Sequence, residues 1–173
     1  MTIATTDPTP DRTPDPTPTG TPTRWLDETE MSAWLAFVET HGDLMTALAH
    51  DLSPVGLSLG DYQVFVYLSG ASDHAMRMCD LAGLLQLSPS GLTRRLDGLV
   101  EAGWVERRSS DDDRRVMLAV LTDAGRAQVE RAAPLHVASV RRHILDQLDR
   151  SDLEAMARIF GKIRAGLDAS PDC

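Results

Sequence analysis

The chain has 173 residues, 42% of them apolar and 25% charged, and a formal net charge of −9, enough for a globular domain whose core folds without disulfides. It contains no run of eighteen apolar residues to span a membrane and no apolar N-terminal stretch to direct secretion, so the expected location is the cytoplasm. The acid excess argues against binding a polyanion by bulk charge and leaves local cationic surfaces as the candidates for nucleic-acid contact.

Residues 1–23 hold nine Thr and six of the ten Pro and little apolar material. Such a stretch cannot offset its ordering entropy, so a disordered tail is expected, as for residues 169–173. A long helix is expected over 27–52. Trp34, Val38, His41, Met45, Leu48 and Leu52 recur at alternating spacings of four and three, a seam for helix-on-helix contact. Pro54 and Gly56 end it. A second helix over 58–69 starts at Ser58 and carries Tyr62, Phe65, Val66 and Leu68. A short third helix, 78–86, places Leu81, Leu84 and Leu85 on one face.

Ser88-Pro89-Ser90 is a strong helix start, with Ser88 as cap and Pro89 in the first turn. That helix runs to Ala102 and closes at Gly103. At 100° per residue, Leu92, Leu96, Leu99 and Val100 share the core side, while Ser90, Arg94, Asp97 and Gly98 lie opposite. Gly91, Thr93 and Arg95 flank. A small, hydroxylated, cationic surface at a helix N-terminus suits a major groove, although a plain solvated helix has the same pattern. Residues 104–108 and 116–121 read as two strands around a polar tip, a β-hairpin wing. Arg107, Arg108, Arg114 and Arg115 bracket the tip, and Asp111, Asp112 and Asp113 sit inside it.

Thr122 caps a helix expected over 123–148, with Val137, Val140, Ile144 and Leu148 as its later seam and a kink at Pro134. Ser151-Asp152-Leu153-Glu154 reads as a capping box for a last helix, 152–167. Four helices, a hairpin and two helices make a mainly α fold with a small β-hairpin wing.

The runs Leu81-Ala82, Leu87-Ser88-Pro89-Ser90-Gly91-Leu92-Thr93-Arg94 and Leu99-Val100-Glu101-Ala102-Gly103-Trp104-Val105-Glu106-Arg107 resemble the helix-turn-helix of the MarR-type (multiple antibiotic resistance regulator) repressors. Asp112-Asp113-Arg114-Arg115 through Leu121-Thr122-Asp123-Ala124-Gly125 resembles that family's wing signature, Asp-x-Arg followed by Leu-Thr-x-x-Gly. The resemblance implies a winged helix-turn-helix lobe, 58–122, between dimerisation helices at 24–57 and 123–168. It implies a homodimer on double-stranded, palindromic operator DNA. By position, Ser88, Ser90, Gly91, Thr93 and Arg94, with Arg95 beside them, belong at the major groove. Arg114, oriented by Asp112 and flanked by Arg115, belongs at the minor groove.

The resemblance further implies release by a small aromatic or phenolic effector. Trp34, Phe37, His41, Tyr62 and His136 combine flat apolar surface with a few polar groups and are the candidate lining. Cys79 reads as a small buried hydrophobe on a helix; a redox-responsive or protein-interaction regulator of the same fold is the alternative. His136 and His143 are too few ligands for zinc, so no metal or other cofactor is expected. No nucleophile elbow, zinc-protease motif or phosphate loop is present to suggest an enzyme.

Overall fold

The computed structural model describes residues 23–168. All but the last residue of the tail expected over 1–23, and the end at 169–173 with Cys173, lie outside the described residues. The chain divides into two compact units between Ala36 and Phe37.

The first described residues lead into helix α1, Glu28–Leu52. Its start is locked by a reciprocal cap. The Glu30 N–H donates to Asp27 Oδ1 (2.8 Å), and the Asp27 N–H donates to Glu30 Oε2 (3.0 Å). Two orphan amides are satisfied, and both carboxylates sit at the positive end of the helix.

The larger unit is built on a core of Leu52, Leu57, Tyr62, Val64, Phe65, Leu68, Leu81, Leu92, Leu96, Leu99, Val105, Leu121 and smaller residues. Helix α2, Leu59–Gly70, opens on a capping box between Ser58 and Asp61. Tyr62, Phe65 and Leu68 are buried as expected, with Val64. Val66 instead points outward, 49% exposed, because Val64, Phe65 and Leu68 already fill the inner arc. The chain then makes a three-residue strand the sequence did not suggest, β1, Ala75–Arg77. Helix α3 is Met78–Leu84, and helix α4 is Pro89–Glu101. Leu81 and Ala82 form the buried side of α3, and Leu84 is exposed, which corrects its place on the expected face. Cys79 is also exposed, not a core residue, because it turns away from the Leu81 and Ala82 side.

Two helices end in the same way. After α3 the Leu87 N–H reaches Ala82 O and the Gln86 N–H reaches Gly83 O; after α4 the Trp104 N–H reaches Leu99 O and the Gly103 N–H reaches Val100 O. Both turns need a left-handed residue. Gly103 fills one at φ +72° without strain, and Gln86 fills the other at φ +54°.

Strands β2, Val105–Ser109, and β3, Met117–Leu121, form the expected hairpin. β1 joins it to give an antiparallel sheet of order β1-β3-β2. The register sets Arg77 opposite Leu118 and Leu118 opposite Arg108; Met76, Ala119 and Arg107 make the next row. Directly paired residues share a face. Val105, Ala119 and Leu121 therefore turn to the core, while Arg77, Leu118 and Arg108 face away from it.

Helix α5, Asp123–His143, is capped by Thr122, whose hydroxyl accepts from the Gly125 N–H. It runs through Pro134, at the loss of one backbone bond. It stops five residues earlier than expected, because Ile144 leaves helical geometry at φ −128°. Val137 is exposed; Gly125, Gln128, Ala132 and Ser139 are the buried positions. Helix α6 is Arg150–Asp168, two residues earlier than expected. Its capping box is Asp149 with Asp152, each backbone N–H donating to the other's carboxylate, and not Ser151 with Glu154. Phe160 of α6 meets Phe37 of α1, ring centroids 6.2 Å apart. No helix among the described residues is long and apolar enough to cross a membrane.

Candidate nucleic-acid interface

Helix α4 is held from three directions. Leu92, Leu96 and Leu99 anchor it in the core. At its start the Ser88 hydroxyl accepts from the Gly91 N–H (3.1 Å), leaving the first turn exposed with Pro89 and Ser90. On its far side Arg107 of β2 donates to the Thr93 carbonyl (2.7 Å) and to the Asp97 carboxylate (2.8 Å). That Arg is only 26% exposed, so the helix and the wing are tied by a mostly shielded guanidinium.

The exposed surface of α4 carries Ser90, Thr93, Arg94, Asp97 and Gly98. Ser88 and Ser90 hydroxyls lie 3.2 Å apart. Thr93 donates its hydroxyl to Pro89 O (2.9 Å), which fixes the rotamer and leaves its lone pairs outward. Arg94 makes no ion pair among the described residues. Gly91 is half-buried, and a Cβ there would meet Ser88 Oγ at 3.2 Å. Arg95 lies apart from this group. Its guanidinium rests over Gly60, where a side chain would collide with it, and reaches Asp61 at 3.8 Å. It braces α4 against α2.

At the wing the carboxylate–guanidinium pair is Asp113 with Arg115, at 3.2 and 3.3 Å. Arg115 is the first cause that holds the Asp113 carboxyl below its ordinary range. Asp112, expected to orient Arg114, instead has its N–H on the Ser110 hydroxyl (3.3 Å). The Asp-x-Arg signature fits two overlapping positions, 112–114 and 113–115, and the pair forms in the second. Arg114 is exposed at the tip, with no ion pair among the described residues. The base of the wing is sealed by Thr122. Its hydroxyl donates to Gly103 O (2.7 Å), and its N–H donates to Trp104 O (3.1 Å). Gly125 presses on the same carbonyl so closely that a Cβ would stand 2.1 Å from it.

Trp34 is 54% exposed on α1, in the N-terminal unit. Phe37 and His41 stack one turn apart, centroids 5.9 Å. Tyr62 and His136 meet at 4.4 Å. Burial raises the Tyr62 pKa and lowers that of His136, and His136 Nδ1 is buried without a hydrogen-bond partner. An open cleft of about 370 Å³ is lined by Asp43, Thr46, Ala47, His50, Asp51 and His143, none of them an expected lining residue. Among the described residues no group of three or more His, Cys, Asp or Glu is arranged to hold a metal ion.

Sequence reasoning missed the brace role of Arg107 and the strand that brings Arg77 beside the wing. Alternation in β2 carried the signal for the first, since Arg107 follows the core residue Val105 by two.

Comparison with known proteins agrees with this geometry. The family model described as MarR family matches residues 55–116. The structure is similar to AbsC, a MarR family transcriptional regulator from Streptomyces coelicolor. They share 38% identity and a TM-score of 0.81, over 86% of this chain and 100% of that one. It is similar at 30% identity and a TM-score of 0.81 to Sco3205 of the same organism, solved in complex with DNA, over 86% and 93% of the two chains. Among curated relatives, the HTH-type transcriptional repressor YetL of Bacillus subtilis (strain 168) is 23% identical, over 85% of this chain and 87% of its own. With a winged lobe closed by the signature residues Thr122 and Gly125 and this extent of similarity, the chain belongs to the MarR family: it is a transcriptional regulator and not an enzyme.

Proposed function

We propose that the protein is a homodimeric repressor that sets α4 of each protomer into a major groove of a palindromic operator and its wing tip at the adjoining minor groove. The observation that carries the reading is the exposed row Ser90, Thr93, Arg94 on a helix clamped by Ser88, Arg107 and the core. A clamped helix pays little ordering entropy on binding. Its small side chains allow close approach, and Arg94 can fork onto guanine. Ser88 and Gly91 shape the first turn at the groove, Arg95 holds the helix angle, and Arg114 reaches the minor groove beside the Asp113–Arg115 pair. The DNA complex of Sco3205 and the repressor name of YetL support the same reading.

A second copy supplies the palindromic symmetry. Phe37, Val38, Ile159, Phe160, Ile163 and Leu167 are 43–70% exposed in the single chain, more apolar surface on two helices than a stable monomer leaves in water. An isologous interface would cover it and space the two α4 helices by one turn of DNA, ~34 Å.

Release by a small aromatic effector completes the proposal. Its support is His136 Nδ1, a buried acceptor or donor left without a partner beside the Tyr62 ring. A coupling of ~1–3 kcal/mol would lower DNA affinity roughly 5–150-fold, and DNA must weaken the effector by the same factor.

Selection of bound duplexes from a random pool tests the core of the reading. An inverted repeat should emerge, and Arg94→Ala should bind it ~1–3 kcal/mol more weakly with relaxed preference at one position per half-site. A pool that shows no enrichment, or an Arg94→Ala protein that binds as the parent does, would refute it.

A further inference from the structure

We infer that the outer face of the three-stranded sheet is an additional DNA-backbone contact, made by Arg77 and Arg108; the inference rests on the DNA-binding reading above. Both residues pair with Leu118, one from each side, so both guanidinium stems leave the same face of the sheet. Two strand spacings, ~10 Å, separate their backbones. Both side chains are exposed, and neither makes an ion pair among the described residues.

That freedom is shared in the lobe with Arg94 and Arg114, the two arginines already assigned to the grooves. Acid exceeds base by nine charges, and the neighbouring arginines of the lobe are already engaged: Arg95 with Asp61, Arg107 with Asp97, Arg115 with Asp113. Two exposed cations on one sheet face, neither of them in an ion pair among the described residues, mark a surface that can meet negative charge from outside.

The direction of that surface follows from the wing. Arg77 is close enough to Asp113 to help hold its carboxyl in the charged form, so the strand β1 cation and the wing tip look onto the same space. Arg77, Arg108 and Arg114 thus line the wing, Arg77 and Arg108 on the sheet face turned away from the core and Arg114 at the tip. The chemistry fits phosphate oxygens rather than base edges. Arg108 stands on a half-open sheet face with no small-residue row around it to admit close approach to bases. The charged groups facing the flank are Glu106, on the same face of β2 and exposed, and Asp113, which Arg115 already satisfies. Interactions of this kind add affinity without sequence preference and release condensed counterions.

Salt dependence reads this directly. The full-length protein and its Arg77→Gln, Arg108→Gln and double variants are titrated by fluorescence anisotropy against a labelled 30-bp duplex of random sequence, from 50 to 200 mM NaCl. For each phosphate that is no longer neutralised, the slope of log K against log[salt] should flatten by about 0.9, hence by about 1.8 for one substitution in a dimer. Urea midpoints of the variants should match the parent, and Glu106→Gln should tighten binding. Variants that keep the parent's slope overturn the assignment while leaving the DNA-binding reading intact. A parent that shows no salt-dependent binding overturns both.

Discussion

Gly125→Ala should loosen the junction between the wing and α5 although it places a better helix former in a helix. The gain is about 1 kcal/mol, the ordinary preference of Ala over Gly in a helix. Against it stands the Trp104 carbonyl oxygen, 2.1 Å from where the new Cβ would lie, with Leu121 Cδ1 at 2.7 Å. Reaching an ordinary 3.4 Å contact opens the junction by about 1.3 Å (3.4 − 2.1). That movement strains the hydrogen bond from the Thr122 N–H to the same oxygen, 3.1 Å long. Overpacking costs ~1–3 kcal/mol and the weakened bond ~1 kcal/mol, so the loss wins by roughly 1–3 kcal/mol. For a chain of this size the melting temperature should fall by about 3–10 °C. Gly98→Ala is the control. It also lies inside a helix, nothing stands within 4 Å of its Cβ, and it should gain about 0.5–1 kcal/mol. Urea denaturation at one fixed protein concentration measures both. A Gly125→Ala protein as stable as the parent, with Gly98→Ala behaving as expected, would refute the close approach at Trp104.

Arg107→Met keeps the side-chain stem but removes both bonds to α4. The Asp97 carboxylate is 59% exposed and so contributes ~0–1 kcal/mol, and the Thr93 carbonyl adds ~1 kcal/mol. Stability should therefore drop by only ~1–2 kcal/mol while sequence preference on DNA relaxes; unchanged preference would mean that the brace does not set the helix angle. Burial lowers the His136 pKa below the ordinary 6.5, so the unfolded chain holds the proton more tightly. The stability His136 contributes is complete above pH 6.5 and is lost as the pH falls below it. His136→Gln should flatten the urea midpoint between pH 7 and 5.5, and an unaltered profile would count against a buried neutral imidazole. Asp51 is held at about 2 by the Ser139 hydroxyl first and by His143 next. Its contribution is present above the ordinary 3.8 and is lost as the pH falls toward 2, so Asp51→Asn should blunt acid unfolding in that window alone.

The DNA-binding lobe was legible where one residue type has one physical use. Ser88-Pro89, the apolar spacing of Leu92, Leu96 and Leu99, Gly103 and Thr122 each mark a cap, a face or a stop, and each acts that way. Signals failed where two readings overlap. Around residue 150, Asp149/Asp152 and Ser151/Glu154 both satisfy the capping-box spacing, and the acidic cap two residues upstream forms. At the wing, two Asp-x-Arg frames compete, and 113–115 pairs. A left-handed turn at Gln86 has no sequence signal, since the turn tolerates a residue that does not favour it and recovers the strain through two backbone bonds and the neighbouring core. A strand of three residues, Ala75–Arg77, is too short for alternation to show. Cys79 and Leu84 were misplaced for a related reason: a seven-residue helix has too few turns for a spacing pattern to define its inner face.

That short strand changes how the lobe folds and opens. Ala75 pairs with Val120, 45 positions later (120 − 75), and the segment so enclosed contains α3, α4 and β2. Helix α4 therefore sits inside a closed loop rather than at a free end, and its unfolding is coupled to the β1–β3 pairing. Closing the loop requires an early search over distant partners, which slows folding relative to a purely helical bundle of the same length. Once the loop is closed, the amides of α4 and of the sheet belong to one cooperative block and exchange with solvent together, whereas the protection of α6 depends on the second copy proposed to cover its apolar face.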